Sequence, residues 1–172
     1  MNMNFCPECG LRLKPREHPT DGMVPYCSRC EEYRYPVFQT AIAVILLSPD
    51  RKRMLLIRQY GDPYPVHVAG YVDKGETAEE AVRREVAEEL GMTIRQLRFY
   101  RSHYYTPSET LMLSYSAVLC GEEAHPNTEV DSWEWVRTEE AGALVKPGDL
   151  ADTLLNDYYR TEGTDDEQLE NL

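Results

Sequence analysis

Four of the five cysteines stand in two Cys-x-x-Cys pairs, Cys6/Cys9 and Cys27/Cys30, with seventeen residues between them. No other feature restricts the start of the chain so tightly. Residues 1–36 are rich in Cys, Pro and Gly and poor in aliphatics, so apolar burial cannot hold this stretch together and a staple is required. The N-terminus carries no apolar run of export-signal length, which makes disulfides the weaker explanation. Four thiolates at this spacing can close a tetrahedral Zn2+ site on Cys6, Cys9, Cys27 and Cys30 with no ligand position left open. The expectation is therefore a structural zinc module rather than a reactive one, with simple burial of reduced thiols as the alternative. Cys120 stands alone near a strand end and reads as a core thiol.

The 172 residues suffice for one full-sized core beyond this module. A formal net charge of -12 argues against sequence-independent binding of nucleic acid and means that a phosphate-bearing substrate would need a metal counter-charge. No segment is long enough to span a bilayer, and with no export signal the expected location is the cytoplasm. Thr40 to Leu47 and Arg53 to Gln59 read as buried strands joined by a turn at Ser48-Pro49-Asp50, with a polar loop from Tyr60 to His67 before Val68. Further strands are expected at Gln96 to Tyr105, Leu111 to Cys120 and around Trp133 to Val136, then a helix from Asp149 to Tyr158. The expected boundaries are a zinc module over 1–36, the main domain over 37–160 and an acidic, disordered tail over 161–172.

Between the second strand and the third, Thr77 with Glu80 three residues on fits a capping box. Ala78, Val82, Val86 and Leu90 recur at helical spacing, and Gly91 sits where a left-handed C-terminal cap belongs. On such a helix Glu85, Glu88 and Glu89 span an arc of about 100°, so three hard oxygen ligands face one side. A solvated acidic face is the ordinary alternative, and it costs only a few tenths of a kcal/mol per like-charge pair. The larger string decides between them: Gly70, Glu76, Arg84-Glu85-Val86, Glu88-Glu89 and Gly91-Met92 occur in fixed order.

This string resembles the signature box of the Nudix hydrolases at every fixed position. The resemblance implies an α/β/α sandwich around a mixed sheet and hydrolysis of a phosphoanhydride with Mg2+ or Mn2+. It implies that Glu85 and Glu89, with the backbone carbonyl of Ala69, are the principal metal ligands. Glu88 is implied as a further ligand or as the base that orients water, and Arg84 as a structural partner of Glu76. The chemistry fits these residue types, because clustered phosphate charge must be neutralised before water can attack phosphorus.

A zinc ribbon placed before such a box is similar to the bacterial NADH pyrophosphatases. The likeness runs from about Cys6 to Tyr159 through Tyr35-Pro36, Ala69-Gly70-Tyr71, Leu111-Met112 and Pro147-Gly148 with Ala151. Set against that family, the expectation is a ribbon without the domain that usually precedes it. The resemblance implies substrate contacts at Tyr35, Tyr71 and Ala151, a further metal-binding glutamate at Glu129, and a homodimer. Bland readings stand beside these, since aromatics at sheet edges usually pack and a glutamate in an acidic loop is usually solvated.

The family's recognition segment reads Ser-Gln-Pro-Trp-Pro-Phe-Pro-x-Ser, whereas this chain reads Ser102-His103-Tyr104-Tyr105-Thr106-Pro107-Ser108-Glu109-Thr110. Tyr105 keeps an aromatic for stacking on a base, and Thr110 keeps a terminal hydroxyl. His103 reads either as a group that polarises phosphate or as an exposed loop residue. The expected reaction is hydrolysis of NADH or NAD to a nicotinamide mononucleotide and AMP, with a small nucleotide as the partner. NAD-capped RNA ends share that bond chemistry. The alternatives are ADP-ribose or another nucleoside-diphosphate substrate, and a non-catalytic nucleotide sensor.

Overall fold

The computed structural model describes the backbone of residues 3–169 and side chains through Thr161. It divides into two compact units, Met1–Gln39 and Thr40–Leu172. In the first, β1 (Lys14–His18), β2 (Gly22–Cys27) and β3 (Glu32–Tyr33) form an antiparallel sheet in that order. Gly22 reaches φ 73 in the tight β1–β2 turn, which the lack of a Cβ permits. The interior of this unit consists of Cys6, Leu13 and Cys27, packed by Met3, Cys9, Leu11 and Cys30. Sulfur thus occupies much of the space that aliphatic side chains fill in a self-sufficient core.

The second unit contains β4 (Gln39–Leu47), β5 (Arg53–Gln59), β6 (Val68–Tyr71), α1 (Ala78–Leu90), β7 (Ile94–Tyr105), β8 (Thr110–Leu119), β9 (Val130–Arg137) and α2 (Leu150–Leu169). Its mixed sheet runs β7-β8-β4-β5-β9, with β6 also paired to β4. The period of two along β4 sorts its side chains between two layers. Ile42, Val44 and Leu46 pack under α1 with Val82, Val86 and Leu90, while Ala43, Ile45 and Leu47 pack under α2 with Ala151, Leu154 and Leu155. Every residue from Ala41 to Leu47 is buried, as a continuous apolar run covered on both faces requires.

One irregularity shapes the site. β4 pairs with β5 at Leu46 and Leu47, but from Ala41 to Val44 it pairs with β6 instead. Val66, just before β6, exchanges both backbone hydrogen bonds with Ile57. The chain entering β6 is therefore wedged between β4 and the far half of β5, and the two strands splay apart at that end.

Helix α1 has the termini its sequence requires. Thr77 accepts from the Glu80 amide, the Glu80 carboxylate accepts from the Thr77 amide, and Gly91 closes the helix at φ 63. Three other readings need correction. Cys120 is exposed, because β8 ends at Leu119 and the thiol falls beyond the packed layers. His103 lies inside β7, with both ring nitrogens buried, and not in an exposed loop. Helix α2 continues past Tyr158 to Leu169, so its backbone is helical over most of the stretch expected to be a disordered tail. Residues 170–172 of that stretch lie outside the described residues. Among the described residues no helix is long and apolar enough to cross a membrane.

Candidate active site

In the first unit the Sγ atoms of Cys6, Cys9, Cys27 and Cys30 all lie within 4.8 Å of one another. Cys6 and Cys30 are 3.9 Å apart, and Cys9 and Cys27 are 3.5 Å apart. A tetrahedral zinc with bonds of about 2.3 Å places its sulfurs about 3.8 Å apart, close to the two spacings given, so the four thiols fit such an ion. The Cys30 amide donates to Cys27 Sγ at 3.4 Å. Although burial opposes ionisation, the backbone amides of Cys9 and Glu8 bring the Cys6 thiol down to about 6, which favours the thiolate form that metals bind.

In the second unit α1 carries the acidic residues toward β6 and the open end of the sheet. Arg84 is the hub. Its Nε and Nη2 grip both oxygens of Glu76 at 2.8 and 3.0 Å, and Nη2 also donates to the Tyr71 carbonyl at 3.0 Å. The loop before the helix is thereby tied to the helix and to the end of β6. The guanidinium holds the Glu76 carboxyl below the usual range. The remaining nitrogen, Nη1, donates to Glu85 at 2.7 Å and to Glu88 at 3.2 Å.

Gly70 makes room for Glu85. A Cβ built at position 70 would overlap Oε1 and Cδ of the Glu85 side chain, so only glycine lets β6 and the carboxylate approach so closely. Glu89 points the other way, into the protein, and is 4% exposed. Its Oε2 accepts from the Gln59 amide at 3.1 Å. Burial pushes its carboxyl up to about 7 against the help of Gln59, and the charges of Glu85, Glu129 and Glu88 add to the rise. Four carboxylates thus share one field. Tyr60 joins them: its hydroxyl donates to Glu129 at 3.4 Å, and the charge of Glu129, then that of Glu89, raises the phenol.

Among the described residues only the cysteines form a group whose donor atoms all approach within 4.8 Å. Glu85 and Glu88 are held by Arg84, Glu89 by Gln59, and Glu129 by Tyr60. Even so, the donor set fits a hard divalent cation. It consists of carboxylate oxygens whose mutual repulsion is incompletely balanced.

The NUDIX domain family model matches residues 37–155, most of the chain. The chain belongs to the Nudix family. An NAD-capped RNA hydrolase NudC of Salmonella heidelberg (strain SL476) is 33% identical over 156 residues, covering 89% of this chain and 59% of the relative. The chain thus spans about three fifths of the length of the curated relatives it matches. A NUDIX hydrolase from Nitrosomonas europaea has the same fold, with a TM-score of 0.67 at 20% identity over 94% of each chain. The NUDIX domain of Shewanella oneidensis NrtR, solved with ADP ribose, gives 0.61 at 13% identity, covering 79% of this chain and 93% of that one.

The residues expected to touch substrate are distributed unevenly in and around the Nudix unit. Tyr105 and Ala151 line one cavity of about 250 Å³, together with Ala43, Gln59, His67 and Ala69. Tyr71 is exposed at the end of β6, where its carbonyl rather than its ring is engaged. Thr110 is 1% exposed, and its hydroxyl is taken up by Ser108. His103 lies on β7 opposite Met112, away from the cavity lining, beside the Arg101–Asp157 ion pair. Tyr35 belongs to the other unit and donates to Asp21 at 2.7 Å. Sequence reasoning missed Gln59, Tyr60 and His67. The first two sit at the end of a correctly read strand, but nothing in their spacing indicates which carboxylates they meet.

Proposed function

We propose that this chain is a metal-dependent hydrolase that splits the pyrophosphate of NADH or NAD, giving a nicotinamide mononucleotide and AMP. The observation that carries the reading is Glu89, a buried carboxylate held near neutrality within a field of three others. A folded protein keeps such an arrangement at a cost to stability, and a perturbed carboxylate with charged neighbours is the mark of a site that handles charge. The names of the sequence relatives support the dinucleotide, and the altered segment from Ser102 to Thr110 supports keeping ADP-ribose as the second reading.

Within this reading Glu85 and Glu89, with the Ala69 carbonyl, would hold Mg2+ or Mn2+, and Glu88 and Glu129 would add ligands or orient water. The bound ion would neutralise the phosphates and acidify a coordinated water. The chain's own residues do the rest. Arg84 ties the preceding loop to α1 and so fixes where the carboxylate-bearing face of the helix stands. Gln59 holds the Glu89 carboxylate in position. In the first unit the four cysteines would hold one structural Zn2+.

Turnover of NADH, ADP-ribose and a diadenosine polyphosphate, measured side by side with product identification, tests the proposal. AMP and nicotinamide mononucleotide should be the main products, and Glu89→Gln should lower kcat by roughly 100-fold or more with the fold retained. A clear preference for ADP-ribose replaces the substrate assignment. Binding without turnover of any of the three points to a nucleotide sensor instead.

A further inference from the structure

His67 is the most anomalous polar group in the second unit. It is 5% exposed, and neither Nδ1 nor Nε2 finds a hydrogen-bond partner. Leaving a buried donor and acceptor unmet is destabilising, a penalty that an apolar side chain of similar size would avoid. A neutral imidazole carries one N–H and one lone pair, and neither is engaged here.

The surroundings indicate what would use them. His67 lies on the α2 side of the splayed strands, since its neighbour Val68 packs under α1 and Ala69 pairs with Ala43. It lines the cavity of about 250 Å³ whose other walls include Tyr105, Leu150, Ala151 and Leu154. Those walls offer an aromatic ring and aliphatic surface, suited to a flat apolar face, with an imidazole nitrogen to meet a polar atom on its edge. Gln59 lines the same cavity and donates to Glu89. Gln59 therefore links the cavity to the carboxylate cluster.

We propose that His67 is a specificity-determining residue that reads the polar edge of a planar nitrogen heterocycle seated in this cavity. The inference rests on the proposed hydrolase reading for the identity of the site, and it adds the ring-bearing half of the substrate as the part recognised. Adenine and the nicotinamide carboxamide each present a donor and an acceptor, either of which one imidazole nitrogen can meet, so the two halves of a dinucleotide are separate probes.

Calorimetric titration of the full chain with AMP, nicotinamide mononucleotide and ribose 5-phosphate, on the wild type and on His67→Leu, decides the matter without any turnover. At least one of the first two should bind at least 10-fold more weakly to the variant, while ribose 5-phosphate is indifferent to it. Thermal unfolding of the variant should be unchanged or shifted upward, because the unmet polar atoms are gone. His67→Asn keeps a donor and an acceptor and should recover part of the binding. Equal affinity in wild type and His67→Leu overturns the proposal, as does wild-type protein that binds neither mononucleotide. If the variant loses affinity while no dinucleotide is hydrolysed, the recognition role stands and the hydrolase reading fails.

Discussion

Glu89 is buried beside other carboxylates, and that environment links its protonation to stability. Its folded-state value of about 7 lies above the ordinary 4.5, so between those values the folded chain keeps a proton that the unfolded chain has released. Stability present below pH 4.5 is therefore lost as pH rises through 7. Without added divalent cation, Glu89→Gln should be more stable than wild type at pH 8 by up to about 3 kcal/mol, with little difference at pH 5. Denaturant titrations at the two pH values measure this, and parallel behaviour of the two proteins would contradict the burial argument. Gly70 is the matching steric test. Because a Cβ there overlaps Glu85, Gly70→Ala should displace that carboxylate and cut turnover by about 10-fold or more, with a smaller effect on stability. Unimpaired turnover of that variant would show that Glu85 does not need its present position.

At the scale of elements, α1 forms from local signals and is fastened by one side chain. Thr77→Ala removes a reciprocal cap and should cost about 1 kcal/mol in unfolding free energy. Arg84→Ala removes bonds to Glu76, Glu85, Glu88 and the Tyr71 carbonyl together. It should cost more, about 2–4 kcal/mol, because it leaves partly buried carboxylates facing one another. A smaller loss for Arg84→Ala than for Thr77→Ala would mean that the hub does not hold the loop. The small β1–β3 sheet depends on its cysteines in a different way, since its core has few aliphatic members. Metal analysis should give one zinc per chain, and Cys27→Ser should abolish ordered amide signals from residues 14–33.

For the whole molecule the net charge of -12 predicts the sign of a salt effect. If the chain acts on an NAD-capped oligonucleotide, added salt should screen repulsion and raise kcat/KM, whereas a basic RNA-binding enzyme would lose activity. A fall with salt would reveal a local basic path that outweighs the total charge. The parts of this protein legible in its residues are those governed by short-range order. The cysteine spacing, the Thr77 and Gly91 caps, the apolar run of β4 and the ordered box from Gly70 to Met92 each span a few turns or strands. Their physical signals therefore reside in neighbouring positions. What only the tertiary structure decided are the encounters between distant segments. Gln59 meets Glu89, Tyr60 meets Glu129, and His67 loses every partner because β6 is wedged between β4 and β5. Histidine in a proline-rich loop reads as solvated until the sheet closes over it. The energy of a buried, unmet imidazole is set by what surrounds it in space, and a linear pattern does not encode that.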